Sequence, residues 1–296
     1  MESKEIISSP ASLSSSARWW GGDTVAVVTG ANKGIGFAVV KRFAELGLTA
    51  VLTARDVEKG KKATEKLRDR GLENVRFFPL DVTEADSIKT FVSWLQTTFG
   101  GLDILVNNAG VSFNEIHENS VGFAETVIKT NFQGPRQLTE SLLPLFRLSS
   151  SSSRILNISS RLGSINKVRN LKIKATLQNE RLSEEEIQGV VDMFVQDVKE
   201  GRWRSQGWPE IWTDYSVSKL ALNAYARVLA KRFQGRRLSV NCFCPGFTRT
   251  SLTRGQGTHS RDAAAEVAVS LALLPPHRLS TGRFFLGFGP YNKSRL

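Results

Sequence analysis

Residues 24–36 read TVAVVTGANKGIG, an apolar run that passes directly into a glycine-rich turn. An uninterrupted β-branched run of this length is typical of a strand covered on both faces of a parallel sheet. Glycine permits a tight turn and lets backbone N–H groups approach a phosphate at the start of the following helix. The stretch therefore predicts a strand, an anion-binding turn and a helix over residues 35–46.

Strand and helix patterns continue to alternate along the chain. Amphipathic segments of helical length, such as residues 58–70 and 84–99, lie between the apolar runs. This alternation implies an α/β fold with right-handed crossovers, and we predict a single doubly wound, seven-stranded parallel sheet of Rossmann type with helices on both faces. Ligands of such sheets bind at the carboxyl ends of the strands. The predicted strands are Thr24–Thr29, Thr49–Thr53, Val75–Leu80, Leu102–Asn107, Arg154–Ser159, Leu238–Cys244 and Arg283–Gly287.

The composition limits the kinds of partner. In 296 residues, 40 Lys and Arg stand against 28 Asp and Glu, which gives a net charge of +12. The basic residues are spread along the chain, and this favours a solvated basic surface over a nucleic-acid or acidic-membrane site. No apolar run approaches the ~18 residues of a membrane span. We therefore expect neither a nucleic-acid partner nor a membrane partner.

The cysteine and histidine content argues against a disulfide framework and against a metal. The only two cysteines, Cys242 and Cys244, lie in one apolar run, and the three histidines lack the spacing of metal ligands. We therefore predict no metal site. Because reduced thiols are the ordinary state in the cytosol, we expect a cytoplasmic protein.

Two segments interrupt the strand–helix alternation. Residues 1–22 are rich in serine and lack a hydrophobic signal stretch, so we predict a disordered tail, with a transit peptide as the alternative, before one domain over 23–296. Residues 161–214 show no strand pattern, but Ser183–Glu186 has the spacing of a capping box, and an apolar stripe follows up to Gly201. We predict a helical insertion whose stripe is buried on the main domain or on a partner. The stripe consists of Ile187, Val190, Val191, Phe194, Val195 and Val198.

The glycine turn and the end of the second strand indicate which dinucleotide binds. The spacing G-x-x-x-G-x-G over Gly30, Gly34 and Gly36, placed between a strand and a helix, favours a dinucleotide site over an ordinary glycine-rich turn. Proteins that bind the unphosphorylated cofactor usually place an acid at the end of the second strand. Here Arg55 stands at that position, and Lys33 lies in the turn. Two cations favour the 2′-phosphate of NADP(H), the alternative being two surface cations.

A tyrosine and a lysine open a strongly helical stretch that runs to Phe233. Tyr215 and Lys219 lie on one helix face because their spacing is i,i+4. An ammonium beside a phenol favours the phenolate, so we expect a lowered pKa for Tyr215 and proton exchange near neutral pH. By itself, however, such a pair is also typical of a helix surface.

In chain order, these residues resemble the short-chain dehydrogenase/reductase superfamily from residue 24 to about residue 290. Lys33 and the segment Thr53–Asp56 are similar to the NADPH-preferring classical branch. The motifs that carry the resemblance are Thr29–Gly36, Asp81, Asn107–Gly110, Asn131, Asn157–Ser160, Tyr215 with Lys219, and Pro245–Gly246 with Thr248 and Thr250.

The resemblance implies a role for each matched residue. Hydride passes from NADPH to a carbonyl carbon, Tyr215 gives its proton to the developing alkoxide, and Ser160 hydrogen-bonds the same oxygen. Lys219 lowers the tyrosine pKa and holds the nicotinamide ribose, and Asn131 anchors a water that links Lys219 to solvent. The implied catalytic residues are Asn131, Ser160, Tyr215 and Lys219. The implied cofactor-binding residues are Gly30, Asn32, Lys33, Gly34, Ile35, Gly36, Arg55, Asp81, Val82, Asn107, Ala109, Tyr215, Lys219, Pro245, Gly246, Thr248 and Thr250.

The distance between Ser160 and Tyr215 departs from the classical pattern. Classical members have a short loop where this chain has residues 161–214. An insertion of this length resembles the monomeric carbonyl reductases and the plant reductases related to salutaridine reductase and menthone/neomenthol reductase. Since nearby helices form the usual dimer face of the family, an inserted helix packed there would block association, and we predict a monomer.

The insertion also brings tryptophans towards the entrance of the site. Trp203, Trp208 and Trp212 are expected to line an apolar pocket with Phe113 and Phe247, the alternative being that some of them pack in the core. Residues 251–262 fit the substrate loop of the family.

These expectations combine into an NADPH-dependent carbonyl reductase, reversible as an alcohol dehydrogenase, that acts on a lipophilic ketone or aldehyde. The alternative is an NADP(H)-binding regulatory or scaffolding protein of the same fold without significant turnover. Such a protein is expected to have lost part of the catalytic set, whereas all four implied positions are intact here.

Overall fold

A computed structural model describes residues 18–113, 119–148, 153–278, 280–287 and 294–295. Its central sheet contains seven parallel strands, which confirms the predicted sheet, and a two-residue strand, β8 (Ser294–Arg295), pairs antiparallel at one edge. The parallel strands are β1 Val25–Val28, β2 Thr49–Ala54, β3 Val75–Pro79, β4 Ile104–Asn107, β5 Ser153–Ile158, β6 Leu238–Cys244 and β7 Arg283–Leu286.

Helices cover both faces of this sheet. Alternate side chains of each strand point to opposite faces, so Val27 packs into one apolar core and Val28 into the other. The α-helices of the described residues are α1 Gly34–Glu45, α2 Val57–Arg68, α3 Ala85–Phe99, α4 Val121–Ile128, α5 Gly134–Leu142, α6 Leu171–Gln178, α7 Glu184–Lys199, α8 Thr213–Arg232 and α9 Arg261–Ala272. The first core lies under α3, α4, α5 and α8, and the second lies under α1, α2 and α9.

The strand order determines where a ligand can bind. The order is β3-β2-β1-β4-β5-β6-β7, so the chain winds one way from β1 to β3 and the other way from β4 onwards. The register places Val28 of β1 beside Val106 of β4 at the point of reversal. Loops diverge at such a point and leave a crevice at the carboxyl ends of the strands.

The insertion contains the predicted capped helix. The Ser183 hydroxyl accepts from the backbone N–H of Glu186 at 3.2 Å, and the Glu186 carboxylate accepts from the backbone N–H of Ser183 at 2.8 Å. The apolar side of α7, including Ile187 and Phe194, is buried against α4 and α8 of this same chain. The stripe is therefore covered by the main domain. A shorter helix, α6, precedes α7 and was not predicted from the sequence.

The predicted disordered tail is wrong at its last residues. Residues 1–17 lie outside the described residues, but residues 18–22 are described, and Trp20 is buried in the core. The Trp19 ring lies 3.8 Å below the guanidinium of buried Arg154, and its indole N–H donates to the Leu273 carbonyl at 3.2 Å. Burial of Trp20 and the cation–π contact of the half-buried Trp19 order this segment.

Candidate active site

The glycine turn after β1 is pressed against the loop after β4. Gly30 and Gly34 have φ values of +61° and +62°, a conformation that side chains disfavour. A Cβ on Gly30 would lie 2.8 Å from the Cα of Ala109, and one on Gly36 would lie 2.4 Å from the Asn108 amide nitrogen. Only glycine permits this close approach, so the backbone of the turn forms one wall of the crevice.

Helix α1 begins at this turn with its first N–H groups open towards the crevice. Lys33 occupies the N-cap position without a side-chain cap, and the first turn contains no acid. Uncapped N–H groups at the positive end of a helix favour an anion. The turn therefore fits the pyrophosphate of a dinucleotide.

A cleft of about 590 Å³ extends from this turn along the carboxyl ends of the strands. It brings together most of the residues predicted for the cofactor and for catalysis. Those that line it are Gly30, Asn32, Lys33, Gly34, Ile35, Arg55, Asp81, Val82, Ala109, Ser160, Tyr215, Lys219, Pro245, Gly246, Thr248 and Thr250.

Cations gather at the β2 end of the cleft. Arg55, Lys33 and Lys59 line it there, and the Arg55 side chain is 74% exposed with Nε 4.0 Å from a carboxylate oxygen of Asp81. The carboxylate of Asp56 caps α2 and accepts hydrogen bonds from the backbone and side chain of Lys59. It is therefore not placed as an acid that binds ribose hydroxyls. The charge balance of this end suits a phosphate.

Three predicted residues do not line the cleft. Gly36 is buried in the turn, where its role is close packing. Asn107, which the resemblance places beside the adenosine ribose, is 3% exposed, and its side chain donates to Thr139 and Asn157 instead of lining the cleft. Because successive side chains of a strand point to opposite faces of the sheet, Asn107 and Asn108 point in opposite directions. The neighbouring Asn108 faces the turn and donates to the carbonyls of Thr29 and Gly30.

Asn131 is the third of these residues, and its side chain is fully engaged. It lies on a π-helical turn over Lys129–Gln133 and is 0% exposed. Its amide oxygen accepts from the Val111 N–H at 2.8 Å, and its amide nitrogen donates to the Val111 carbonyl and to the Ser218 hydroxyl. The side chain therefore ties the β4 loop to α8, one residue from Lys219.

The opposite end of the cleft holds a serine, a tyrosine and a lysine. Ser160 follows β5, and its hydroxyl oxygen accepts from the Leu162 N–H at 3.1 Å. Tyr215 hydrogen-bonds with Ser160, and the Lys219 ammonium lies 5.5 Å from the Tyr215 ring centroid, on the predicted common face of α8. Lys219 donates to the Ile158 carbonyl at 2.8 Å.

Burial controls the protonation of this set. It raises the pKa of Tyr215 above its ordinary value, with a further increase from Cys244, while the hydrogen bond with Ser160 acts in the opposite sense. Burial also lowers the pKa of Lys219 to about 8. This direction is opposite to the lowered tyrosine pKa expected from the sequence, because burial is the largest cause acting on the phenol. At neutral pH the phenol is protonated and most of the lysine is charged.

The rim of the reaction end is apolar. Trp212, Phe247 and Ile211 line the cleft, and Ile211 is 52% exposed. Trp212 has a φ of +46°, which is rare for a bulky side chain, and its ring meets the Tyr215 ring edge-on with 6.4 Å between centroids. A strained backbone at this position directs the indole over the entrance.

The other aromatic residues predicted for this pocket lie elsewhere. Trp208 is buried in the core, where its ring packs edge-on against Phe194 and its indole N–H donates to Asp197 at 2.8 Å. Trp203 packs against the same core, and Phe113 stacks on Phe123 without lining the cleft. The insertion therefore uses two of its three tryptophans for its own packing.

Several residues that line the cleft were not predicted for the site. Lys59 follows Arg55 by one helical turn, a spacing that could have indicated it. Arg161 directly follows Ser160, whereas Ile211 lies in a loop with no regular pattern. Within the described residues, no group of acids, histidines and cysteines has the arrangement of a metal site. No helix in that part of the chain is long and apolar enough to cross a membrane.

Sequence comparison defines the class of protein that this fold and cleft represent. Residues 24–171 and 205–261 match the family described as short chain dehydrogenase, and the chain belongs to that family. The gap inside the match, residues 172–204, lies within the insertion and contains most of α6 and all of α7.

Individual relatives narrow the comparison. The chain is 39% identical over 283 residues to salutaridine reductase of Papaver somniferum, covering 84% of this chain and 90% of that protein. It is 38% identical over 263 residues to carbonyl reductase (NADPH) 1 of Homo sapiens, covering 85% and 91%. The structure of the poppy salutaridine reductase superposes with a TM-score of 0.82, at 38% identity, covering 88% of this chain and 99% of the other.

A second solved structure has the same fold. Menthone neomenthol reductase of Mentha piperita superposes with a TM-score of 0.78, at 33% identity, covering 90% of this chain and 99% of the other. The chain is therefore a short-chain oxidoreductase of the class that acts on carbonyl or alcohol groups.

Proposed function

We propose that this protein is an NADPH-dependent reductase of lipophilic ketones or aldehydes, reversible as an alcohol dehydrogenase. The observation that carries the proposal is the position of Ser160, Tyr215 and Lys219 at one end of a cleft whose other end holds a glycine turn and three cations. A dinucleotide laid along this cleft would place its 2′-phosphate among the cations, its pyrophosphate at the glycine turn and its reactive ring beside Ser160, Tyr215 and Lys219.

The cleft supports binding of the phosphorylated cofactor in particular. The backbone N–H groups at the start of α1 hold the pyrophosphate, and Arg55 with Lys33 binds the 2′-phosphate. Asp81 and Val82, which line the cleft, would contact the adenine, and Thr248 and Thr250 would contact the nicotinamide. A relative named for NADPH agrees with this choice.

When bound, NADPH would supply a hydride for the carbonyl carbon. Ser160 donates a hydrogen bond to the carbonyl oxygen and orients it. Tyr215 donates its phenolic proton to the same oxygen as negative charge develops there, and its raised pKa keeps that proton in place until then. Lys219 contributes a positive charge beside the phenol and holds the nicotinamide ribose. The products are an alcohol and oxidised cofactor, with one proton taken from solvent.

The apolar rim indicates the kind of carbonyl compound. Trp212, Ile211 and Phe247 offer indole, aliphatic and phenyl surface around the entrance, and burying such surface favours a substrate with an apolar body. Residues 251–253 line the same side, as a substrate loop would, and α9 begins at Arg261.

The test is a panel of aliphatic, cyclic and aromatic ketones and aldehydes, each incubated with the full chain and either NADPH or NADH. Oxidation is followed by the loss of nicotinamide absorbance, and the alcohols are resolved on a chiral column. We expect turnover of apolar carbonyls that is at least about tenfold faster with NADPH, because the cations at the β2 end recognise the extra phosphate. An absence of NADPH oxidation across the whole panel contradicts the proposal.

We also propose that the protein is a monomer in the cytoplasm. Helix α7 covers the outer sides of α4 and α8, where Ile187 and Phe194 are 1% and 0% exposed. Another copy cannot pack on a surface that this helix already occupies. Light scattering after size-exclusion chromatography is expected to give the mass of one chain, and a stable dimer at micromolar concentration contradicts this. The two free thiols suit a reducing compartment, and imaging of the tagged full chain checks the location.

A further inference from the structure

Arg161 is the one cation on the substrate side of the cleft, among the described residues, whose purpose the proposed reaction does not explain. It lines the cleft as an exposed residue directly after Ser160, so the two Cα atoms are about 3.8 Å apart. Lys219, the other cation at this end, is buried and donates to a backbone carbonyl. Across the part of the chain that the structure describes, the Arg161 guanidinium makes no ion pair or hydrogen bond.

Arg161 is too far along the sheet to serve the cofactor phosphates. Arg55 and Lys59 follow β2, whereas Arg161 follows β5, and β1 and β4 lie between these strands. Three strand spacings amount to roughly 14 Å. The described acids that line the cleft, Asp56 and Asp81, also belong to the distant end. Within the described residues, the reaction end therefore has an excess positive charge and no lining acid to neutralise it.

The backbone that carries Arg161 is held in a fixed position. The short 3₁₀ turn Arg161–Gly163 packs so closely on α8 that a Cβ on Gly163 would lie 2.5 Å from the Lys219 carbonyl carbon. Asn223 donates to the Gly163 carbonyl at 3.1 Å and accepts from the Ser159 hydroxyl at 2.6 Å. The guanidinium thus extends from a rigid base beside the place where the carbonyl oxygen binds.

We infer that the substrate carries an anionic group, a carboxylate in the simplest case, attached to an apolar body that also bears the reacting carbonyl. This inference rests on the proposed function. Leu162, Ile211 and Trp212 contact the apolar body, and Arg161 binds the carboxylate through its paired N–H groups. The specificity of the enzyme is then set by two features at once, apolar area and one charge.

The experiment compares 3- and 4-acetylbenzoate with their methyl esters, which keep the ring and the ketone but lack the charge. We expect the wild-type protein to have a higher kcat/KM for an acid than for its ester. In Arg161→Gln the acid-to-ester ratio falls about three- to tenfold, the range for a partly exposed charge-assisted contact. Arg161→Lys retains part of the preference, and 0.5 M NaCl reduces it in the wild type because salt screens exposed charges.

The matched control is Lys167→Gln, which removes the same charge from the next turn, outside the cleft. Its acid-to-ester ratio equals that of the wild type. A ratio that Arg161→Gln leaves unchanged, or that Lys167→Gln lowers equally, overturns the inference.

Binding of the four probes to the NADP⁺-loaded protein, measured by saturation-transfer NMR, separates this inference from the proposed function. Tighter binding of the acids through Arg161 without turnover of any probe contradicts the proposed function alone. If the acids and the esters are both reduced, and the acid-to-ester ratio of kcat/KM is the same in the wild type and in Arg161→Gln, the inference alone is contradicted. Absence of binding by every probe overturns the inference.

Discussion

The charged side chains at the two ends of the cleft differ in their exposure to water. At the glycine-turn end, the Arg55 side chain is 74% exposed and remains in water. At the reaction end, Lys219 is 4% exposed and hydrogen-bonded to the Ile158 carbonyl. An exposed guanidinium keeps its charge at any physiological pH, whereas a buried amine changes its charge with its surroundings. The comparison supports the proposal that one end binds a phosphate and the other controls protons.

The two ends also differ in how the chain assembles them. Residues 29–36 form the turn from one continuous stretch, and a second cation arrives with the next strand. Ser160 and Tyr215 are separated by the whole insertion, and they meet because β5 and α8 pack together through Gly163. A local sequence pattern is enough for the first end, but the second requires the complete fold.

The largest expected effect is the loss of turnover in Tyr215→Phe. The change removes the proposed proton donor but leaves the aromatic ring and the β2 end of the cleft intact, so kcat is expected to fall about 10²–10⁴-fold. NADPH affinity, measured by fluorescence titration, is expected to change little because Tyr215 contacts none of the groups proposed to bind the phosphates.

Tyr225→Phe is the matched control for this change. It removes a hydroxyl from the same helix, but that hydroxyl donates to Glu140 at 2.7 Å outside the cleft. We expect normal turnover and a slightly less stable protein. Near-normal turnover in Tyr215→Phe would remove Tyr215 from its proposed role.

The next effect concerns the choice between the two cofactors. In Lys33→Ala/Arg55→Ala, the ratio of kcat/KM with NADPH to that with NADH is expected to fall about 10–10²-fold. Each charge-assisted contact contributes ~1.5–3 kcal/mol at most, and the exposure of Arg55 reduces this. The measurement is initial rates with one ketone and both cofactors.

Lys62→Ala/Lys66→Ala removes the same two charges from exposed positions of α2 outside the cleft. Its cofactor ratio is expected to match the wild type. An equal fall in both double variants would mean that net charge, and not contact with the 2′-phosphate, sets the preference.

A smaller effect appears in the pH profile. Since burial lowers the pKa of Lys219 to about 8, the amine is charged below that pH and neutral above it. If reduction needs the charge, kcat/KM falls about tenfold per pH unit above pH 8. Lys219→Arg keeps its charge, because guanidinium does not titrate in this range, so its falling limb moves to higher pH even if its rate is lower. An identical limb in both proteins contradicts the assignment.

The comparison of the two ends also explains what the sequence could predict. The strands and the Ser183 capping box depend on local spacing, and the structure confirms them. Helix α6 was missed because it has only eight residues and its apolar residues alternate with polar ones instead of following a helical period, and Leu171 at its start is 79% exposed. The glycine turn and Arg55 can likewise be predicted from the short stretches around them.

Properties that depend on distant neighbours could not be predicted. Trp208 looks like a pocket residue until its indole is found on Asp197 in the core, and Trp20 looks like part of a tail until it is found buried. The pKa of Tyr215 depends on how completely α8, β5 and Cys244 exclude water, and an i,i+4 spacing does not encode this. Residue spacing can predict which groups lie near a charge. The pKa also depends on how far the folded chain excludes water from that charge.

The smallest expected effect tests whether the insertion is separate from both ends of the cleft. Gly189 lies in the middle of α7 and is exposed, and a Cβ added there would have no neighbouring atom within 4 Å among the described residues. Gly189→Ala is expected to raise the free energy of unfolding by about 0.5–1 kcal/mol, since alanine loses less backbone freedom in a helix. Ketone reduction stays unchanged, and denaturant unfolding with a rate assay measures both.

The contrast is Gly163→Ala, where the added methyl group meets the backbone of Lys219 at 2.5 Å and must displace either the turn or α8. We expect a lower kcat in that variant, because Ser160 and Tyr215 move apart, while NADPH still binds at the glycine turn. If Gly189→Ala slowed reduction as much as Gly163→Ala does, α7 would have to be counted as part of the reaction end. The packing of the inserted helix would then be one of the contacts of the whole fold on which the geometry of the reaction end depends.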